Sequence, residues 1–379
     1  MFKKIALLFF LFYLFFYTNT QSFAQSILDV SNSTVLDIKK NRFYYEDKTG
    51  KLSFEEIQNA KFDKNFQLSD KEILNYGFTN SVIWLKIKLK NSNLEKNDYL
   101  AFINYAILDE VNFYFSQSKN KYSVYKSGDM KPFTSRLIAN RKFLYPLHFS
   151  DTTTHTLYIK VSSKTALQIP FEIITESQHE IKSAKNEIGF GVFYGILFIM
   201  IAYNFFIFLS LKDFNYLYYI GTILGSLILF FSLAGHQSQY LFSNTPLLAN
   251  QFVACGSALI IICLPIFTIN FNEIKKHSLI FYYILASFPI AGFGILFLSF
   301  FKPYWYGKIG LFINIIGLIL MILVLFSSIY SYLKGQKSAR FFILAFSIYV
   351  FGIITLVLKN IGIIPANFFT INAGEIGAS

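Results

Sequence analysis

The sequence predicts a membrane protein in two parts, an antiparallel β-sandwich followed by an all-α bundle of seven crossing helices whose seventh is incomplete. Three observations predict it. The chain is 54% apolar and 19% aromatic, above the roughly 45–50% apolar share of soluble domains. Its charge is unevenly placed: residues 25–186 hold 23 Lys+Arg and 18 Asp+Glu, whereas 187–379 hold 9 and 4. The charge-poor part is also cut into runs of the length a helix needs to cross a hydrocarbon core of about 30 Å.

Residues 1–24 read as a secretory signal. Lys3 and Lys4 give the positive end, 5–17 the apolar core, and Ser22-Phe23-Ala24 a small-x-small cleavage site before Gln25. An uncleaved anchor helix is the alternative. Export would place the strand-rich part outside the cytoplasm.

Residues 25–180 alternate at the period of strands. In 83–90 the aliphatics Ile83, Leu85, Ile87 and Leu89 take every second position, and lysines take three of the others. That is a half-buried strand, with Trp84 expected on its polar face. Val111, Phe113 and Phe115 repeat the pattern, as do Leu157, Ile159 and Val161, then Phe171 and Ile173. Further strands are expected near 41–46, 98–105, 121–126 and 141–148, with turn signals at 91–93, 118–120, 128–129 and 151–154. Seven to nine short strands so spaced predict an antiparallel sandwich. Residues 49–80 predict a loop and a short helix. This part contains no cysteine, so its stability must come from its apolar core.

The apolar runs span 188–211, 214–234, 247–270, 278–301, 308–333 and 339–360, within an expected bundle of 187–379. The seventh, 366–379, would rise about 21 Å, too little to cross, so the natural chain is expected to continue. With the first helix entering from outside, the inner loops carry Lys212, Lys275, Lys276, Lys334, Lys337 and Arg340, and the outer loops Lys302, Lys308 and Lys359. This excess obeys the positive-inside rule. Tyr304, Trp305 and Tyr306 suit the outer headgroup layer. Gly221 and Gly225 form a small-xxx-small pair for close helix packing, and Pro265 falls inside the third run. Cys255 and Cys263 read as small apolar fillers.

Several function classes are excluded or set aside. The net charge of +12 is spread along the chain without a basic block, which argues against nucleic-acid binding. The histidines are scattered without metal-ligand spacing, so no metal, cofactor or catalytic residue is expected. The spans hold too few ionisable groups, and too little internal repetition, to favour a transporter or channel.

Particular phrases carry a family resemblance. In the first part they are Tyr76-Gly77-Phe78-Thr79-Asn80-Ser81-Val82-Ile83-Trp84-Leu85, Leu108-Asp109-Glu110-Val111, and Gly128-Asp129 followed by Pro132-Phe133, Arg136, Arg141 and Tyr145-Pro146-Leu147. In the second they are Tyr203-Asn204, Leu209-Ser210-Leu211-Lys212-Asp213, Gly335-Gln336-Lys337-Ser338-Ala339-Arg340 and Gly374-Glu375-Ile376-Gly377. Together they resemble bacterial seven-transmembrane receptors with diverse intracellular signalling modules, with their type-2 extracellular domain.

The resemblance implies a jelly-roll-like sandwich related to carbohydrate-binding modules. It also implies a multi-pass protein of the bacterial inner membrane with a periplasmic head and a cytoplasmic C-terminus. The expected function is transmembrane signalling. The sandwich would sense a small molecule or carbohydrate, and the bundle would relay the signal to a cytoplasmic effector of histidine-kinase or cyclase type beyond residue 379. The alternatives are a transporter or channel, or an accessory subunit without an effector, and homodimerisation stays open. Candidate ligand residues are Trp84, Tyr105, Asp109, Tyr114, Arg136 and Arg141, since saccharide sites combine aromatic faces with orienting polar groups. Candidate intramembrane relay residues are Asn204, Asn314 and Glu375, because a polar group in a span should turn to the bundle interior.

Overall fold

The computed structural model describes residues 27–367 except 33, 37, 39, 40, 70, 119 and 120, together with residue 370. The expected signal, Glu375 and most of the expected seventh helix lie outside the described residues.

The head is an antiparallel sandwich. Its larger sheet runs Gln67–Leu68, Phe43–Asp47, Val82–Lys90, His155–Ser162, Glu110–Ser118, Lys121–Ser127, with Leu28–Asp29 parallel to Val82–Lys90. The facing sheet runs Phe143–Leu147, Tyr99–Ile103, Phe171–Thr175, Val35–Leu36. A short pair, Ala166–Ile169 with Leu74–Phe78, lies beside them. Alternation in sequence becomes the core directly. Ile83, Leu85, Val111, Phe113, Leu157 and Ile159 are fully buried from one sheet, against Ala101, Ile103, Leu147 and Ile173 of the other.

One sequence expectation fails here. The opposite face of Val82–Lys90 is covered rather than polar and wet, and Trp84 is 1% exposed. The segment 53–66 folds back across it. A capping box at Ser53 and Glu56 starts the helix Phe54–Ile57, satisfying two otherwise unpaired amides. Asn59 caps the 3-10 turn Ala60–Asn65. Phe54 stacks on Tyr114 at 4.0 Å and lies 6.4 Å from Trp84. Lys86 is only 3% exposed. Its ammonium meets Asp63 at 2.5 Å and lies against the Phe66 and Tyr158 rings. Its alkyl stem therefore packs as an apolar side chain.

Among the described residues, six helices are long and apolar enough to cross a membrane. They are α1 (Glu176–Leu211), α2 (Phe214–Leu233), α3 (Pro246–Phe271), α4 (Leu279–Phe301), α5 (Tyr306–Leu333) and α6 (Ala339–Ile361). Ile188, Phe198, Phe206, Ile280, Ile290 and Phe351 are each more than half exposed. Apolar surface on that scale belongs in lipid. The chain is a membrane protein with a β-sandwich domain followed by a helical bundle.

Within the bundle α2 and α3 meet closely through glycine. A Cβ on Gly225 would fall 2.9 Å from the Gly256 carbonyl oxygen, and one on Gly221 would fall 2.5 Å from the Cys263 sulfur. Backbones approach that closely only where side chains are absent.

The head joins the bundle without a linker. Thr175 ends the strand Phe171–Thr175 and also N-caps α1, its hydroxyl accepting from the Gln178 amide. At 36 residues, α1 is about 54 Å long. The stretch 176–187, which holds all its charged residues, runs beside the sandwich before the apolar stretch begins.

Candidate functional site

The sandwich sits on one end of the bundle, and three main sets of contacts, with a smaller one at 133–134, hold it there. All involve the helix ends nearest the head. The loops at 212–213, 272–278 and 334–338 lie at the far ends of the same helices.

The first set joins the strand region around 141 to α1 and the turn after α2. Arg141 is 4% exposed. Its Nε and Nη2 donate to Glu187 Oε1 at 3.0 and 2.7 Å, and its Nη1 donates to the Ala234 carbonyl at 2.8 Å. The guanidinium also lies 4.8 Å over the Phe190 ring. Glu187 Oε2 meets His236 Nε2 at 3.2 Å, and His236 Nδ1 meets the Tyr194 hydroxyl at 3.0 Å. This pairing assigns the proton to Nε2, so that Nδ1 accepts from Tyr194. Burial, then the Arg141 charge, makes His236 less basic than an ordinary histidine, which keeps the ring neutral at pH 7. Gly235 makes the approach possible. Its φ is +87°, and a Cβ there would lie 2.7 Å from Ala106 Cβ.

The second set joins Asp109 to α5. Tyr306 donates its hydroxyl to Asp109 Oδ2, which also accepts from the Lys164 amide at 3.1 Å. Lys164 lies 5.4 Å from the Tyr306 ring, and a Cβ on Gly307 would sit 2.5 Å from the Lys164 carbonyl oxygen. Asp129 is buried near Asp109. Burial, and then the Asp109 charge, raises its pKa well above the usual carboxylate range, against the pull of Arg136. Burial also raises Asp109. Two carboxyls so placed resist ionising together.

The third set joins the short strand pair to α6. Asn75 Nδ2 donates to the Lys359 carbonyl at 2.9 Å, and Gln168 Nε2 to Asn360 Oδ1 at 3.3 Å. Asn360 Nδ2 then donates to Asn314 Oδ1 of α5 at 3.3 Å. A Cβ on Gly77, at φ +61°, would lie 2.6 Å from the Ile361 carbonyl oxygen. Elsewhere, the Phe133 amide donates to the Ser243 carbonyl at 2.7 Å and Thr134 Oγ1 to Asn244 Oδ1 at 2.8 Å.

Between the first and third sets lies a cavity of about 690 Å³, bounded by the sandwich, α1, α2 and α6. That volume is in the range of small-molecule sites.

The residues read from sequence as a ligand site divide. Trp84 and Tyr114 do not form an exposed aromatic face; both are buried beneath Phe54. Asp109 is engaged by Tyr306 rather than open to solvent. Arg136 donates to the carbonyls of Asn140 and Lys142 and lies between the Phe133 and Phe143 rings. Burial pulls its pKa down to about 10. Only Tyr105 and Arg141 line the cavity. Of the relay candidates, Asn314 joins the chain Gln168–Asn360–Asn314, whereas Asn204 bonds within its own helix to the Met200 carbonyl.

Sequence reasoning missed Glu187, His236, Gln168, Asn360 and the acceptor role of Asp109 toward Tyr306. Glu187 had a signal, as the last acid before the apolar run of α1. The partners of the others are too far along the chain for spacing to reveal.

Two family models match the chain. One, described as 7TMR-DISM extracellular 2, covers residues 39–175. The other, described as 7TM diverse intracellular signalling, covers residues 186–379. No curated protein matches.

Proposed function

The chain belongs to the 7TMR-DISM family, and from that membership we propose that the seat of the sandwich on the bundle is the element that senses and relays. A receptor-type sensing role comes with the family. The finer reading is that a small molecule, saccharides included, binds in the junction cavity and favours one seating of the head over another. The bundle then carries the difference to a cytoplasmic effector of histidine-kinase or cyclase type. In this reading the head is periplasmic and the protein lies in a bacterial inner membrane. The excess of cationic residues at the far helix ends supports that orientation.

The observation that carries the reading is the arrangement of the polar contacts. Three separate helix ends are tied to the sandwich around one cavity, so a ligand there touches the head and three helices at once. A ligand shifts such an equilibrium only by its differential affinity for the two seatings. A ligand that bridges the moving parts is well placed to have one.

The test is a lock. Cysteines at Thr134 and Asn244, whose side chains already meet, form a disulfide that fixes the head. Spin labels at Lys212 and Lys337 report the far ends of the bundle. Locking is expected to narrow or shift their distance distribution. Identical distributions in locked and reduced protein would refute coupling through the seat.

A further inference from the structure

We infer that the outward face of α1 is the seam of a parallel homodimer, formed with a second copy of this chain. The inference does not depend on what the junction cavity binds.

Along α1, Ile181, Ala184, Ile188, Gly191, Gly195 and Phe198 follow one another at alternating spacings of three and four, and all are exposed. That is the a/d spacing of a seam between two helices. It lies opposite the sides by which α1 meets its own protein. The head touches α1 through His179 and Lys182, and the bundle packs on Phe193 and Leu197. At about 100° per residue these four fall together on the far side of the helix from the stripe. Neither head nor bundle stands between the stripe and a partner.

Lipid accounts for only part of this face. From Ile188 onward it belongs to the apolar run, but Ile181, 47% exposed, and Ala184 lie in the charged stretch beside the sandwich. An apolar stripe there belongs against another protein surface. The charges beside it say which. Two copies inserted the same way in one membrane are parallel, and a two-fold pair presents the same stripe from both sides. With Ile181 and Ile188 at a, Glu180 stands at g and Lys185 at the following e, the positions that meet across a parallel seam. Both are exposed, and neither forms an ion pair among the described residues. The face is therefore complementary to itself in the one sense that the membrane allows.

Lower down, Gly191 and Gly195 have the Gly-x-x-x-Gly spacing at which membrane helices approach closely. Within one chain that spacing is idle. A Cβ on either glycine would meet nothing within 4 Å, whereas one on Gly221 or Gly225 would collide with α3. Glycine inside a helix weakens it, and no contact within the protomer compensates at 191 and 195; a second backbone against them does. Glu187, at the next g position, is held by Arg141. The seam and the seat of the head thus share a turn of α1.

The test uses the full chain in liposomes, with Cys255 and Cys263 replaced by alanine. Ala184→Cys, Ile188→Cys and Gly195→Cys, made singly, should each give disulfide-linked dimers on mild oxidation. Lys51→Cys on the head and Ile290→Cys on α4, both exposed, should not. Energy transfer between labelled copies across a lipid-dilution series reads the affinity. Glu180→Lys or Lys185→Glu alone should weaken it by about tenfold, because two attractive pairs become two repulsive contacts. The double swap should restore it. Gly195→Leu, for which the protomer has room, should weaken it at least as much as either single swap. Linking at Ile290→Cys equal to that at Ala184→Cys, or a double swap no tighter than the single ones, would overturn the seam. So would an unlinked Ala184→Cys, the result expected if lipid or residues beyond 370 cover the stripe.

Discussion

Glu187→Gln should loosen the seat of the head without unfolding it. Glutamine keeps an acceptor for the Arg141 guanidinium and removes the charge. The pair is 2.7 Å apart, so its Coulomb energy lies between about 1.5 kcal/mol at the dielectric constant of water and about 6 kcal/mol at an effective value of 20. Arg141 is 4% exposed but Glu187 is 44% exposed, which places the net effect near the lower bound, about 2 kcal/mol. That is about a 30-fold change in the equilibrium between seated and unseated heads. Amide exchange in nanodiscs reads it directly, because exchange at a local opening scales with the opening constant. Amides at 106–107 and 235–237 should exchange about 30-fold faster, and those at 111–115 and 157–161 should not change. Unchanged exchange at the junction, or equal acceleration in the sandwich core, would refute the assignment of Arg141 and Glu187 as a tie that holds the seat.

Other substitutions probe the same structure. Asp129→Asn should stabilise the head at neutral pH by about 1–2 kcal/mol, by removing a buried carboxyl that resists ionisation. A carboxyl raised in the folded state contributes stability below its unfolded pKa and loses it as pH rises through the folded value, so the gain in thermal midpoint should be larger at pH 8 than at pH 4. The lowered basicity of His236 acts the other way: the seat should weaken as pH falls below 6.5, the ordinary histidine value, and His236→Gln should flatten that part of the exchange profile. Gly235→Ala should raise junction exchange as Glu187→Gln does, since it combines a left-handed φ with a clash against Ala106, together about 1–3 kcal/mol. Asp63→Ala should destabilise the head by about 1–3 kcal/mol in denaturant titrations, leaving Lys86 buried without its anion, whereas Lys86→Met should be near neutral between the Phe66 and Tyr158 rings. Equal losses for these two would contradict the burial of Lys86.

The fold class was legible because its signals are local. Apolar length reports a crossing helix, and alternation reports which side of a strand faces the sandwich core. Alternation does not report whether the other side is covered. Trp84 and Lys86 look like a wet face in sequence, and they are buried only because 53–66, two short capped turns of helix with little periodicity, fold across them. The site was less legible for a related reason. Arg141 and Glu187 are 46 positions apart, and Asp109 and Tyr306 are 197 apart. Such pairs form only when a complete head meets a complete bundle; in sequence Arg141 and Asp109 read as ligand candidates and Tyr306 as an interfacial tyrosine, and nothing local marks their partners. Asn314 was readable because a polar side chain within an apolar run is conspicuous, but its partner Asn360 stood at the run's end, where polarity is unremarkable.

Thr175 belongs to the last strand and to the first helix at once, and this sets a rule of phase for any exchange of parts. Each residue added after it would turn the helix by about 100° and advance it by about 1.5 Å. One insertion would therefore swing Glu187 to the wrong side, whereas seven would bring it almost back into angle but about 10 Å too low. Grafted heads can be expected to work only if they deliver their final strand at the same count from this carboxylate, so that the splice behaves as a keyed shaft rather than a tether.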